Sequence, residues 1–594
     1  MAARLRRGSD LSRLFDRAVL RFHANVFMRP LDWLVLGGAL TAIVAYGLYK
    51  GRGSDTMNKY LLAGRTMPWY AMALSIMATQ ASAITFISTT GQAYVDGMRF
   101  VQFYFGMPIA MVILCATAVP LFHRANVYTA YEFLEQRFDA KTRALASAVF
   151  LIQRGLAVGL SLYAPAIVLA VIFGWPDRIT TLVMGALITV YTVTGGIKAV
   201  TWTDVQQMII ILCGLVVAFF MIVHMLPRDV SFADAVYLAG ATGRLNAVDL
   251  KFDLNNRYNL WSGLIGGCFL ALSYFGCDQS QVQRYLTGKS IAQSKLSLLF
   301  TAMAKIPMQF LILFVGAMVF VFFLFERPPL LFQSVAMHEL ESPALAPQYD
   351  PIGAKFNQAF ERRKRATLAL AEARRVHDDG KRVASIDQYR EAQQEISAAR
   401  VAGVGLYERT RGEKGFNDTN YIFLSFVTRY LPAGVVGLLI AVIFAAAMSS
   451  SSGEVNSLAT VTVIDVYKRH IRPQATDRHY LWASRLATAF WASYAVFFAQ
   501  YAKKLGSLIE AVNLLGSLFY GSLLGVFVLA FWFRRVSGTG AFIGMLVGEA
   551  AIFAAFGFTG ISFLWYNVIG CMVVIVTAVT ISWLWPAGRV GGPA

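Results

Sequence analysis

Thirteen stretches of this chain are apolar over about the length a helix needs to cross a bilayer, and that fact constrains the fold more than any motif. About 20 apolar residues span the hydrocarbon. Runs of this kind lie near 32–49, 67–94, 100–121, 145–173, 178–194, 205–226, 260–284, 297–325, 420–463, 480–500, 507–533, 539–557 and 563–585. Lipid offers backbone groups no partner, so such runs must satisfy themselves as helices. Composition agrees: 57% of residues are hydrophobic and 15% charged, against about 25% charged in a soluble domain. The expected fold class is an all-α polytopic membrane protein with about 13 transmembrane helices. The ninth run is too long for one span. It is expected to begin as a short amphipathic helix, turn at Pro432-Ala433-Gly434 and then cross.

The net charge of +19 would suggest nucleic acid in a soluble protein. In a membrane protein it reads as basic cytoplasmic loops facing anionic lipid, with the bilayer and not nucleic acid as partner. One set of alternate loops is rich: Lys50, Arg52, Lys59 and Arg65; Arg124, Arg137, Lys141 and Arg143; Lys198; Arg284, Lys289 and Lys295; Lys468, Arg469, Arg472 and Arg478; Arg534 and Arg535. The opposite set is sparse, with Arg99, Arg178, a few in 228–257, Lys503 and Lys504. The rich side is expected to be cytoplasmic. This places the N-terminus outside, the C-terminus inside, and the protein in the cell (inner) membrane. The basic N-terminal segment, 1–31, dissents with Arg4, Arg6, Arg7, Arg13, Arg17, Arg21 and Arg29. No cleavable leader is expected, because the basic start continues to about Pro30 before any apolar run.

A charged soluble insert, 326–418, interrupts the apolar pattern, with ERRKR at 361–365. Helical composition runs from about Pro351 to Val376, breaks at HDDGKR, and resumes to about Val401. A lone helical hairpin cannot bury its own face. Two readings stand: a cap docked on the outer surface, or an arm that binds a protein partner.

Chemistry classes are excluded by what is missing. Seven histidines are scattered without HExxH, and no GxxxxGK[ST] is present, so neither a zinc hydrolase nor an ATP-driven pump is expected. Cys115, Cys213, Cys268, Cys277 and Cys571 lie in or beside apolar runs without CxxC spacing, so no disulfide framework or metal cluster is expected.

Polar residues inside three apolar runs carry the functional signal. An unpaired hydroxyl in an apolar medium costs roughly 2–7 kcal/mol, so each needs a reason. In ALSIMATQASAITFISTTGQ, Gln80, Ser82, Thr85 and Ser88 sit among small residues where a helix could unwind. Unwound backbone at membrane depth is tolerated where it lines a cavity. In AAAMSSSSGEVNS, four hydroxyls stand side by side; Ser449 and Ser452 share a face and Ser450 points to its flank. Hydroxyl oxygens suit a hard cation, although a serine in a membrane helix more often bonds a carbonyl or permits close packing. In SYFGCDQSQVQRYL, Tyr274, Asp278, Gln279 and Gln283 surround Gly276. Asp204 in AVTWTDVQQ reads either as a helix cap or as a site carboxylate. Lys305 in TAMAKIP reads either as a lysine that snorkels or as part of a transport path.

These motifs resemble the sodium:solute symporter family, which includes sodium–glucose, sodium–proline and sodium–iodide transporters. LAGRTMPWYAMALS, TAYEFLEQRF, YTVTGGIKAVTWTDVQQ, DQSQVQRYL, SSSSGEVNSLATVTVIDVYK and FYGSLLGVFVLAFWFRR match in order over about 57–535, apart from the insert. YEFLEQRF and SLYAPAIVLA look closest to the iodide, monocarboxylate and multivitamin branch. The resemblance implies a leucine-transporter-type 5+5 inverted repeat. Core helices one to seven would occupy 67–325, with the first and sixth broken. Core helices eight to ten would occupy 420–533, preceded by an extra helix at 32–49 and followed by two at 539–585. It implies a sodium site made by the carbonyls of Ala78, Ala81 and Ala446 and the hydroxyls of Ser449 and Ser450. A second sodium would use Asp204, Ser449 and Ser452, but the next hydroxyl position is Gly453. The solute pocket would include Gln80, Ser82, Thr85, Tyr274 as inner gate, Lys305 and Asn513. Ile84 and Ala271 stand where sugar transporters have a carboxylate and an asparagine, which argues against a hexose. The implied activity is transport, not enzymatic: sodium influx coupled to uptake of a small organic solute, such as a monocarboxylate or similar anion, by alternating access. Rivals are a proton-coupled transporter in which Asp204 or Asp278 titrates, and a solute-sensing receptor whose insert binds a partner.

Overall fold

The computed structural model describes residues 28–173, 177–412, 414–500 and 508–585; most of the basic segment 1–31 lies outside them. Helices dominate. In chain order, α1 (Pro30–Gly51) precedes α2 (Trp69–Gln80) and the short α3 (Thr90–Asp96). Next come α4 (Ala140–Phe173), α5 (Asp177–His224), α6 (Gly267–Gly276), α7 (Gln279–Leu286) and α8 (Ile291–Phe325). The insert forms α9 (Ala346–Arg375) and α10 (Asp379–Arg411). The chain ends with α11 (Val435–Val461), α12 (Asp477–Ala499), α13 (Leu508–Trp532), α14 (Gly538–Phe558) and α15 (Leu564–Leu584).

Among the described residues, nine helical stretches are long and apolar enough to cross a membrane, fewer than the thirteen apolar runs. Part of the difference has physical causes. Run 260–284 is cut at Cys277–Asp278 into α6 and α7, of 10 and 8 residues. Runs 178–194 and 205–226 both fall in α5, which bends where Gly196 takes φ 61°. A side chain at Gly196 would also meet Tyr60, so only glycine suits this bend. Helix α12 carries Asp477, Arg478 and Arg485 and is less apolar than its neighbours.

The ninth run does divide: Ile422–Tyr430 is a short helix, Gly434 has φ 85°, and α11 follows. Helix α11 is the spine of the molecule, with 89% of its most apolar stretch buried; α1 has 22% and α14 and α15 have 28% each. Peripheral α1 is pinned to the start of α11 by Asp32, whose Oδ1 accepts from the backbone N–H groups of Gly434 and Gly437 at 2.6 and 2.8 Å.

The hairpin α9–α10 buries its apolar face on the insert's own entry segment. Phe356, Phe360, Ile396 and Leu406 pack with Leu330, Leu331 and Leu340. Arg363 donates to the Phe323 carbonyl at 2.7 Å, Arg374 pairs with Asp234 at 3.0 Å, and Arg382 donates to the Tyr237 hydroxyl at 3.0 Å. The turn between α9 and α10 is shorter than HDDGKR, and α10 continues to Arg411. Two arginines counted above as loop charges are buried instead. Arg143 bonds Asp465 and Glu135, each at 2.7 Å, and Arg284 is 1% exposed.

Candidate ion and solute site

Both expected breaks are present. Helix α2 ends at Gln80, Ala81 leaves helical geometry, and Thr85 Oγ1 donates back to the Gln80 carbonyl at 3.0 Å. Between α6 and α7, Asp278 turns extended and caps α7, its carboxylate accepting from the Ser280 N–H at 2.8 Å. Each break frees backbone groups inside an apolar run, where only a cavity or a bound species makes them tolerable.

The first break meets α11 at the serine run. Ser450 Oγ lies 3.1 Å from the Thr79 carbonyl and 3.0 Å from the Ala446 carbonyl. Ala78, Ala81, Ala446, Ser449 and Ser450 are all buried. Carbonyl and hydroxyl oxygens from α2 and α11 therefore converge, a donor set suited to a small hard cation. Ser449 donates to Asp204 Oδ1 at 2.5 Å, which leaves its oxygen lone pairs available. Ser452 donates to the Ser449 carbonyl at 3.2 Å.

Beside this convergence lies a cavity of about 120 Å³. Gln80, Ser82, Thr85, Tyr274, Ser450 and Asn513 line it, with Tyr104, Gln153, Arg154, Ser161, Glu454 and Tyr520. Lys305 does not. It is fully buried behind Tyr104, with Nζ 5.4 Å from that ring's centre and without a hydrogen-bond partner. Tyr274 accepts from Gln281 at 2.8 Å and faces Tyr520, ring centres 6.0 Å apart.

The cavity wall holds a charged network that the sequence reading did not assemble. Arg154 of α4 bonds Glu454 of α11 at 3.0 Å, the Tyr520 hydroxyl of α13 at 2.6 Å, and Asp278 at the second break. Tyr520 in turn donates to Asp278 Oδ2 at 2.8 Å. An ionisable residue inside an apolar run is itself a functional signal, and Gln153-Arg154 in FLIQRGLAVG supplies one.

A second network lies away from the cavity lining. Asp204 Oδ2 accepts from Ser75 at 2.6 Å and from Arg284 Nη1 at 2.5 Å, while Oδ1 accepts from Ser449. Arg284 also donates to Ser75. Four core elements, α2, α5, α7 and α11, are joined here.

Two helix breaks inside apolar runs and a polar cavity against a carbonyl-and-hydroxyl cluster define a secondary transporter of the broken-helix class. The sequence model of the sodium:solute symporter family matches residues 60–343 and 399–548. The chain belongs to that family. It is 26% identical over 526 residues to sodium-coupled monocarboxylate transporter 1 of Homo sapiens, covering 87% of this chain and 72% of that protein. It is 25% identical over 564 residues to the sodium/glucose cotransporter of Vibrio parahaemolyticus, covering 92% and 89%. A substrate-bound, outward-open Na+-coupled sialic acid symporter shares the fold, with a TM-score of 0.72 at 23% identity over 94% of this chain and 98% of that one. The protein is thus an all-α, multi-pass membrane transporter of the leucine-transporter type, not an enzyme. Sodium is the coupled ion, and a small organic solute is its cargo.

Proposed function

We propose that the solute is a small monocarboxylate or similar anion held in the cavity. Sodium is held beside it by the carbonyls of Ala78, Ala81 and Ala446 and the hydroxyls of Ser449 and Ser450. The small size of the cavity carries this reading. Ile84 and Ala271 point the same way. The cavity, at about 120 Å³, is below the roughly 300–1,000 Å³ of sites for drug-sized ligands. This favours a solute of few heavy atoms. The similarity to a monocarboxylate transporter supports the same choice.

Tyr274 acts as the inner gate beneath the solute, with Gln80, Ser82, Thr85 and Asn513 as polar contacts. Lys305 contributes its field through Tyr104. The core comprises 67–325 and 420–533, and the helices at 32–49 and 539–585 are peripheral. The N-terminus is outside and the C-terminus cytoplasmic in the cell (inner) membrane; the basic residues that remain exposed, such as Lys59, Lys289, Arg469 and Arg534, support this orientation. The insert 326–418 is a cap, a reading supported by Arg363, Arg374 and Arg382, which bond the Phe323 carbonyl, Asp234 and Tyr237 outside it.

A thermal-shift panel of the purified protein tests the solute. Short monocarboxylates should raise Tm in sodium and not in potassium, while sugars, amino acids and vitamins leave it unchanged. Stabilisation by a neutral sugar with no response to any carboxylate would overturn the reading.

A further inference from the structure

Asp204, Ser449 and Ser452 make an oxygen-rich group of the kind that could take a second sodium, yet a cation already occupies it. Arg284 reaches in from α7. Its Nη1 lies 2.5 Å from Asp204 Oδ2 and also bonds Ser75. The carboxylate is engaged at both oxygens, by Ser449 at one and by Ser75 and Arg284 at the other. Arg284 is 1% exposed and Asp204 is fully buried, and Asp204 is the arginine's one salt-bridge partner among the described residues.

The seat of the guanidinium is Gly453. A Cβ built there would come within 2.0 Å of Arg284 Nη2 and 3.2 Å of Cζ. Any side chain at 453, including the hydroxyl a further sodium ligand would need, displaces the guanidinium. The missing ligand and the resident arginine are thus two halves of one arrangement. We propose that Arg284 is the built-in cation of this site, seated on Gly453, and that it restricts the transporter to one sodium ion per cycle. A sodium ion placed against Asp204 would stand beside a like charge in a medium that screens poorly. Unlike an ion, the guanidinium is tethered and stays through the cycle, holding α2, α5, α7 and α11 together. The inference rests on the sodium site proposed above and concerns a different carboxylate.

Equilibrium binding of radioactive sodium to the purified transporter, with a saturating short monocarboxylate, tests it. The wild-type protein should bind one ion; two ions would overturn the inference. Arg284→Met with Gly453→Ser removes the resident cation and adds the missing hydroxyl, so it should bind a second ion. Arg284→Gln alone, which leaves Asp204 without its partner charge, should also gain one, more weakly. A count that stays at one in either variant, with solute binding retained, would overturn the claim that the guanidinium excludes the ion. Solute binding with no sodium bound to the wild type would instead sink the sodium site itself, and this inference with it.

Discussion

Arg154 and Arg284 are both buried in the transporter core, and each joins several helices, but only Arg154 faces the cavity. Arg284 meets one carboxylate and balances it. Arg154 meets two, Glu454 and Asp278, and shares the second with Tyr520. A balanced pair has little reason to change as ligands come and go. A pair with an excess negative charge beside a cavity responds to any ion or solute that enters. The contrast separates a fixed joint from a responsive wall, the two networks meeting at α11.

The largest effect should come from removing Arg154. Arg154→Met strands two buried carboxylates, and breaking a buried ion pair costs about 3–5 kcal/mol. Uptake should fall by more than about 100-fold, with a lower thermal midpoint. Retention of uptake near the wild-type level would erase the distinction between the two arginines.

Next in size are the sodium ligands. Ser449→Ala and Ser450→Ala should each raise half-saturating sodium by about tenfold, the loss of one ligand bond of about 1–1.5 kcal/mol. Ser449→Ala should be the worse of the two, because it also strips Asp204 Oδ1 of its donor. Sodium titrations of uptake decide this; unchanged dependence in both variants would remove these serines from the site.

Tyr274→Ala should reduce the steady-state accumulation ratio several-fold and solute affinity less, since the proposed gate is its ring, which lies tilted against Tyr520 in the cavity lining. Accumulation as steep as in the wild type would place the gate elsewhere. The smallest effect belongs to the cap. Arg374→Ala removes a partly exposed pair with Asp234, worth about 1 kcal/mol or less, and uptake should stay within about twofold.

Much of this was legible because lipid makes polar residues conspicuous. The serine run, Gln80 to Thr85 and the sequence around Asp278 all stood out against apolar surroundings, and the structure brings them to one place. The Pro432-Ala433-Gly434 turn was legible from its residue chemistry. Pairings across the chain were not. Arg154 meets Asp278 and Glu454 across 124 and 300 residues, and periodicity carries no information at that range. Arg284 reads as a loop charge because it ends an apolar run, and only the break at Cys277–Asp278 turns its short helix inward. Lys305 was visible as a buried lysine, but sequence could not place Tyr104 between it and the cavity.

The central claim is a complex of one sodium ion with one monovalent anion in the transporter core. Simultaneous measurement of transport current and labelled monocarboxylate uptake in proteoliposomes under an inward sodium gradient tests it most directly. The account predicts sodium-dependent uptake with no accompanying net current and no dependence on membrane potential. An inward current of one charge per solute molecule would require a second sodium or an uncharged solute, and would contradict it.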